Sequence, residues 1–266
     1  MKKVHKALSI QVNLNGLSFC ILNRTSKAIE HLHQVDFDKT FTPHELLPVL
    51  KQELSSKLVF SDDFSDVVVV HQNELSTLVP DDLFDERNNA DYLKHNSKIL
   101  KSDYIAYDDI SAITAKNVYV PYVNINNYIF DTFGGFTYKH SLTVFCELVM
   151  GAQNYKEDKL VFINVNSMSF EIVVSKNGQL ILTNIHQYFS KEDFIYFILF
   201  TLQQLDLDPN EQPIVLSGKI KKGDDLYELL YTYVRHIDFN REAHCYNPSK
   251  DNSRSLTEHC LILNSF

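Results

Sequence analysis

Glycine is scarce in this chain, with seven in 266 residues, under half the average share of about 7%. A backbone that approaches a triphosphate closely needs Gly where a Cβ would clash or where φ is positive. Only Gly16 and Gly218 fall near candidate loops. The sole pair, Gly134-Gly135, lies in Phe133-Gly134-Gly135-Phe136, which fits no phosphate-loop or dinucleotide pattern. Trp is absent, so the aromatic content is 18 Phe and 14 Tyr. The four cysteines (20, 146, 245 and 260) have no C-x-x-C spacing and read as reduced thiols. No apolar run approaches the roughly 18 residues needed to span a bilayer, which predicts no membrane insertion. The basic start, Met1 to Lys6, is followed by a stretch too short and polar for a signal-peptide core. A cytoplasmic protein is expected. Positive charge is also short: 25 basic against 34 acidic side chains leave −9. That balance opposes nucleic acid, whose binding rests on concentrated Lys and Arg.

What is present is material for a large core, 44% hydrophobic, and an internal echo. Asn13-Leu14-Asn15-Gly16-Leu17-Ser18-Phe19-Cys20-Ile21-Leu22 aligns with Asn164-Val165-Asn166-Ser167-Met168-Ser169-Phe170-Glu171-Ile172-Val173 at an offset of 151. Thr42-Pro43-His44-Glu45 has the form of a helix start, and Ser190-Lys191-Glu192-Asp193 repeats it at an offset of 148. Val67 to Val70 precedes Ile214 to Ser217 by 147. Three landmarks in one order, at nearly one spacing, argue for a duplicated unit.

In the first copy, residues 7–13 and 17–23 read as strands joined by an Asn15-Gly16 turn, with a third strand near 28–37. A helix after Thr42 carries Leu46, Leu50, Leu54 and Leu58 as one stripe, with Pro48 expected to kink it. In the second copy the strands fall near 159–166, 169–175 and 179–186, with Asn177-Gly178 as a hairpin turn. A helix from Ser190, a strand at 213–217, a helix near 224–234 and a strand at 236–239 follow. The order is β-β-β-α-β-α-β, twice, which predicts an α/β protein with two mixed five-stranded sheets. Residues 1–157 form the first half, with an insertion at about 72–125 whose acidic runs, Asp81 to Glu86 and Asp103 to Asp109, are expected to be solvated surface. Residues 158–240 form the second half, with the boundary near Gln153 to Asp158, and residues 241–266 a polar tail expected to fray.

This duplicated order resembles the actin-like (ribonuclease H-like) fold of actin, sugar kinases, heat-shock chaperones and pilus-assembly ATPases. As a whole the chain is similar to an uncharacterised bacterial family of this length with that fold. The resemblance covers residues 7–240 and implies two phosphate loops facing one cleft. The second, roughly D-x-G-G-x-T-F-D, stands here as Asn164 to Glu171, keeping Ser169, Phe170 and an acid but losing the Asp and both Gly. The first, D-x-G-[ST], stands as Asn13-Leu14-Asn15-Gly16. Leu216-Ser217-Gly218-Lys219 takes the place of the adenosine-side Gly-Gly. The candidate degenerate cleft is therefore Asn13, Asn15, Gly16, Ser18, Asn164, Asn166, Ser167, Ser169 and Gly218. For each Asn alone, the competing explanation is that Asn suits hairpin turns.

In the actin-like pattern the two Asp residues hold Mg²⁺ and its waters, and Mg²⁺ demands hard charged oxygen ligands. Losing two charge-assisted contacts costs about 3–6 kcal/mol, on the order of 10²- to 10⁴-fold in rate. The sequence thus predicts no catalytic residue, no metal and no bound cofactor, with ATP and Mg²⁺ as the alternative. The expected function is a non-catalytic binding or scaffolding module with an unidentified protein partner, or self-association through sheet edges or the insertion. The alternative is a divergent ATPase or kinase using Glu171 and acids such as Asp131. Two histidine features remain: His31 and His33 share a strand face, expected to be solvated. The dipeptides His244-Cys245 and His259-Cys260 lack metal-ligand spacing.

Overall fold

The computed structural model describes residues 5–151, 159–240, 247–248 and 256–266. The first half opens with β1 (Lys6–Asn13), β2 (Gly16–Asn23) and β3 (Ala28–Asp36), then α1 (Pro43–Ser56) and β4 (Asp66–Gln72). Thr42 and Glu45 form a reciprocal capping box, with Pro43 in the first turn. The helix continues through Pro48 rather than ending there. An inserted sheet follows: β5 (Ser76–Pro80), α2 (Asn89–Lys94), β6 (Ala106–Ile110) and β7 (Ala115–Tyr119). The first half then resumes with α3 (Val123–Phe133), β8 (Thr137–His140) and α4 (Ser141–Gly151). The second half is β9 (Leu160–Val165), β10 (Ser169–Lys176), β11 (Gln179–Gln187), α5 (Lys191–Gln204), β12 (Ile214–Gly218), α6 (Asp225–Tyr233) and β13 (Ile237–Phe239). Last come β14 (Asn247–Pro248) and α7 (Cys260–Leu263).

The two main sheets repeat one topology. The second is ordered β11-β10-β9-β12-β13, and the first β3-β2-β1-β4-β8 with the two-residue β14 added beside β3. In each, three antiparallel strands are followed by two parallel ones reached through helices. Asn13 pairs with Gln72 across β1–β4, and Asn164 pairs with Ser217 across β9–β12. Residues 151 apart in sequence therefore hold the same topological place.

Strand alternation divides each sheet into two faces. Outward faces pack on the half's own helices: Ile10, Phe19 and Val69 with Leu46, Leu50 and Ile125 in the first half. Ile163, Ile172 and Leu216 pack with Phe194, Ile198 and Leu230 in the second. The inward faces meet a shared layer in which α4 buries Phe145, Cys146 and Val149 against Phe162, Val173 and Val215 of the second sheet and Val70 of the first. In α7, Ile262 and Leu263 pack on Cys20 and Ile29 of the first sheet. Residues 256–266, expected within a fraying tail, thus carry four successive core side chains, Cys260 to Leu263. The proposed half-boundary at 153–158 and His244-Cys245 lie outside the described residues.

Two further expectations, the first hairpin turn and the His31–His33 face, are corrected, and two others gain detail. The first hairpin turn is Leu14-Asn15, since Asn13 pairs with Gly16, and Asn13 Oδ1 accepts the Asn15 N–H at 2.7 Å. The Asn177-Gly178 turn has both residues at positive φ (53° and 72°), as a two-residue hairpin of matching twist requires. The insertion forms a sheet ordered β5-β7-β6 with its own core of Val79, Leu93 and Val118, and of its acidic runs Asp81, Asp82, Glu86 and Asp109 are exposed while Asp85, Asp103 and Asp108 are half-buried. The His31–His33 face is half-buried beneath α1 and Phe60, with His33 Nε2 3.1 Å from Glu53.

Candidate functional site

Both central hairpins end at the junction between the halves. Asn13, Asn15, Gly16, Ser18, Asn166 and Ser167 line one small cavity there, together with Gln11, Gln72, Asp36 and Lys219. Ser169 lines the adjoining cavity with Asn13, Asn15, Gln72 and Phe189. Asn164 and Gly218 lie just beneath, in the strands that support the loops. The structure therefore brings all nine sequence-derived residues to one place. Asp131, the acid proposed for the catalytic alternative, is exposed on α3 and lines neither cavity.

The first cavity measures about 30 Å³, room for about one water. It is narrowed by a contact between the halves: the Lys219 ammonium donates to Asp36 at the end of β3 and, at 2.8 Å, to Ser167 Oγ. Burial pushes the Asp36 carboxyl up, but hydrogen bonds from Lys219 and Gln34 outweigh it and hold the group below its ordinary value. Gly218 aims Lys219. Its φ is +83°, and a Cβ there would lie 2.1 Å from the Val165 carbonyl oxygen, so only Gly fits. Gly16 answers the same steric demand, since a Cβ would meet the Val35 carbonyl oxygen at 2.7 Å. Both glycines are explained by strand-to-strand approach.

From the cavity wall a chain of amides runs inward to one buried carboxylate. Gln11 and Asn13 donate to Gln72 Oε1 at 2.9 and 3.2 Å. Gln72 donates across the halves to Glu171 Oε1 at 3.3 Å, and Asn164 donates to Glu171 Oε2 at 2.6 Å. Asn164 Oδ1 in turn accepts from Ser217 at 3.3 Å and from the Cys260 thiol at 3.1 Å. Burial raises the Cys260 thiol to about 12, so it remains a protonated donor. Glu171 is fully buried, and burial raises its carboxyl; the donors around it pull the other way without prevailing. Ser141, at the head of α4, and Asn166 also face this carboxylate but fall short of good hydrogen-bond geometry.

Chemically, this arrangement offers one suppressed carboxylate, neutral amides and an ion-paired lysine. Among the described residues no three His, Cys, Asp or Glu side chains gather as a metal site, and His259, 6% exposed, is not in one. Three residues that build the junction escaped the sequence reading as site members: Gln72, Asp36 and Lys219. The detectable signal was Gln72, a polar residue closing the apolar run Val67 to Val70, where a central parallel strand meets its functional end.

A second anchored region adjoins it. The inserted sheet is fastened to α4 through Asp108, which accepts from the His140 N–H (2.7 Å), Thr143 Oγ1 (2.7 Å) and the Tyr119 hydroxyl (2.9 Å). Burial raises this carboxyl too, against those three donors. The anchoring fixes β5 opposite β11 and leaves between them a groove of about 900 Å³, next to the 280 Å³ cavity at the hairpin mouth. No described helix is long and apolar enough to cross a membrane.

Residues 2–237 match the family described as "Protein of unknown function (DUF3822)", and the chain belongs to that family. In structure it is similar to a Bacteroides thetaiotaomicron VPI-5482 protein with the actin-like ATPase fold and unknown function. The TM-score is 0.79 at 19% identity, covering 90% of this chain and 91% of that one. It is also similar to a chain of the PilM–PilN type IV pilus biogenesis complex, with a TM-score of 0.63 at 12% identity and 97% of both chains covered. A third likeness is to the ethanolamine utilization protein EutJ from Carboxydothermus hydrogenoformans, with a TM-score of 0.51 at 7% identity. It covers 97% of this chain and 89% of that one. These likenesses establish the actin-like fold and, at such identities, the fold alone. No curated protein matches the sequence.

Proposed function

We propose that this member of the DUF3822 family is a non-catalytic actin-like domain that works by binding another protein, with nucleotide hydrolysis lost. The observation that carries this reading is the state of the crevice between the hairpins. The positions that would hold Mg²⁺ waters are Asn13 and Asn164, committed to Gln72 and Glu171. The space a phosphate chain would need is crossed by Lys219 on its way to Asp36. Phosphoryl transfer depends on charge placed around a metal, and a buried carboxyl that resists ionisation supplies little of it. The related PilM fold occurs in a complex with PilN, which agrees with a role in protein assembly. A cytoplasmic location belongs to the same proposal.

The alternative, a divergent ATPase or kinase, draws on Lys219 as a cation that swings from Asp36 onto a phosphate. Calorimetry with ATP and Mg²⁺ at millimolar concentration, paired with a phosphate-release assay, separates the two. The proposal expects no turnover. Turnover that disappears in Lys219→Ala would overturn it.

A further inference from the structure

The groove beside the insertion is walled by two sheet edges. Among the described residues, β5 is the outer strand of the inserted sheet and pairs with β7 alone, and β11 is the outer strand of the second main sheet and pairs with β10 alone. Both strands line the groove, β5 through Ser76, Thr77 and Leu78 and β11 through Thr183 to Gln187.

Hydrogen-bond phase shows which backbone groups are spare. The Tyr188 N–H bonds the Met168 carbonyl at 3.1 Å, so bonded pairs recur at every second residue of β11. Thr183, Ile185 and Gln187 then present their N–H and C=O groups away from β10. The Val120 N–H bonds the Leu75 carbonyl at 3.0 Å, and Asp81 N–H bonds Thr114 at 3.1 Å. By the same alternation Ser76 and Leu78 present theirs away from β7. One of these groups is blunted: the Ile185 N–H is capped by Asn184 Oδ1 at 2.8 Å. Edges of this kind are templates for another strand.

The side chains narrow the occupant further. Leu142, Ile185 and Phe197 give the largely polar groove an apolar floor, Lys98 lines it from the insertion, and Glu74 stands where it joins the hairpin cavity. Glu74 is exposed and has no ion pair among the described residues. From these observations we infer that the groove takes an extended peptide segment of a partner protein. The segment adds as a strand to β11, drops apolar side chains at alternate positions and places a basic residue against Glu74. This deepens the protein-binding reading above and rests on it.

The probe is a displayed library of linear octapeptides, selected on the full chain. Winning peptides are measured by fluorescence anisotropy and mapped by amide hydrogen exchange. Alternating apolar sequences with a Lys or Arg are expected, slowing exchange at Thr183 and Gln187 of β11. Thr183→Pro, which deletes one outward N–H, should weaken binding about tenfold, and Glu74→Lys should shift selection toward acidic peptides. Should Thr183→Pro fail to fold, N-methylation of alternate amides in the winning peptide gives the same test without altering the protein, and loss of binding in only one phase is expected. The inference is overturned if no peptide is enriched, if enriched peptides leave those amides unprotected, or if a second copy of the chain already protects them in a dimer. ATP turnover alongside normal peptide protection would sink the non-catalytic reading and leave the groove standing.

Discussion

The side-chain amide of Asn164 lies 2.6 Å from Glu171 Oε2, in a site closed to water. Asn164, which the sequence resemblance aligns with a metal-side Asp, is thus a donor to a fully buried carboxyl. Restoring the acid, Asn164→Asp, would set two carboxyls in hydrogen-bond contact with one proton between them. We expect it to destabilise the chain by about 2–4 kcal/mol at neutral pH, with the deficit shrinking near pH 4. Urea unfolding at the two pH values measures this, and no ATP turnover should appear.

Glu171 itself gives a pH signature. Its folded carboxyl is raised above the ordinary 4.5, so the folded state holds the proton more tightly than the unfolded state. Stability therefore falls as pH rises from about 4.5 to the raised value and is level beyond it. Glu171→Gln removes that fall. The mutant-minus-wild-type difference in unfolding free energy should grow with pH in this window, at no more than about 1.4 kcal/mol per unit. A difference that is flat across the window would rule out a raised Glu171.

Asp108 serves three buried or half-buried donors at once. Asp108→Ala strands them, and we expect a loss of about 3 kcal/mol or more. Proteolysis between residues 81 and 114 should accelerate relative to the rest of the chain, because this carboxyl fastens the insertion.

Gly218→Ala combines positive φ with a Cβ 2.1 Å from a backbone oxygen. It should cost about 3 kcal/mol or more. Gly134→Ala has the same sign of φ (+79°, with ψ −134°) but open space around it, and should cost about 1–3 kcal/mol from backbone strain alone. Thermal unfolding of the pair separates backbone strain from collision.

Much of this architecture was legible because each half writes its signals locally. The capping boxes at Thr42 and Ser190 and the Asn177-Gly178 turn fix element ends within a few residues. α4 was invisible for the opposite reason. Ser141, Leu142, Thr143, Val144, Phe145 and Cys146 are buried on every side, so the helix has no polar face and no stripe for periodicity to find. The final helix was misjudged because the polar residues before it dominate the composition of that stretch. At the junction, the hairpin asparagines could be read from their alignment. Lys219 and Asp36 could not, since their meaning comes from a contact 183 residues apart in sequence.

The placement of α7 also has a consequence for how the chain is made. Ile262 and Leu263 close over the sheet that carries Cys20 and Ile29. Until residues 262 and 263 have been made, Cys20 and Ile29 have no lid, so the early half waits, partly unclothed, for the late one. Ile262→Ala should cost about 2–5 kcal/mol, and a chain stopped at residue 255 should aggregate during refolding, although it retains both complete repeats.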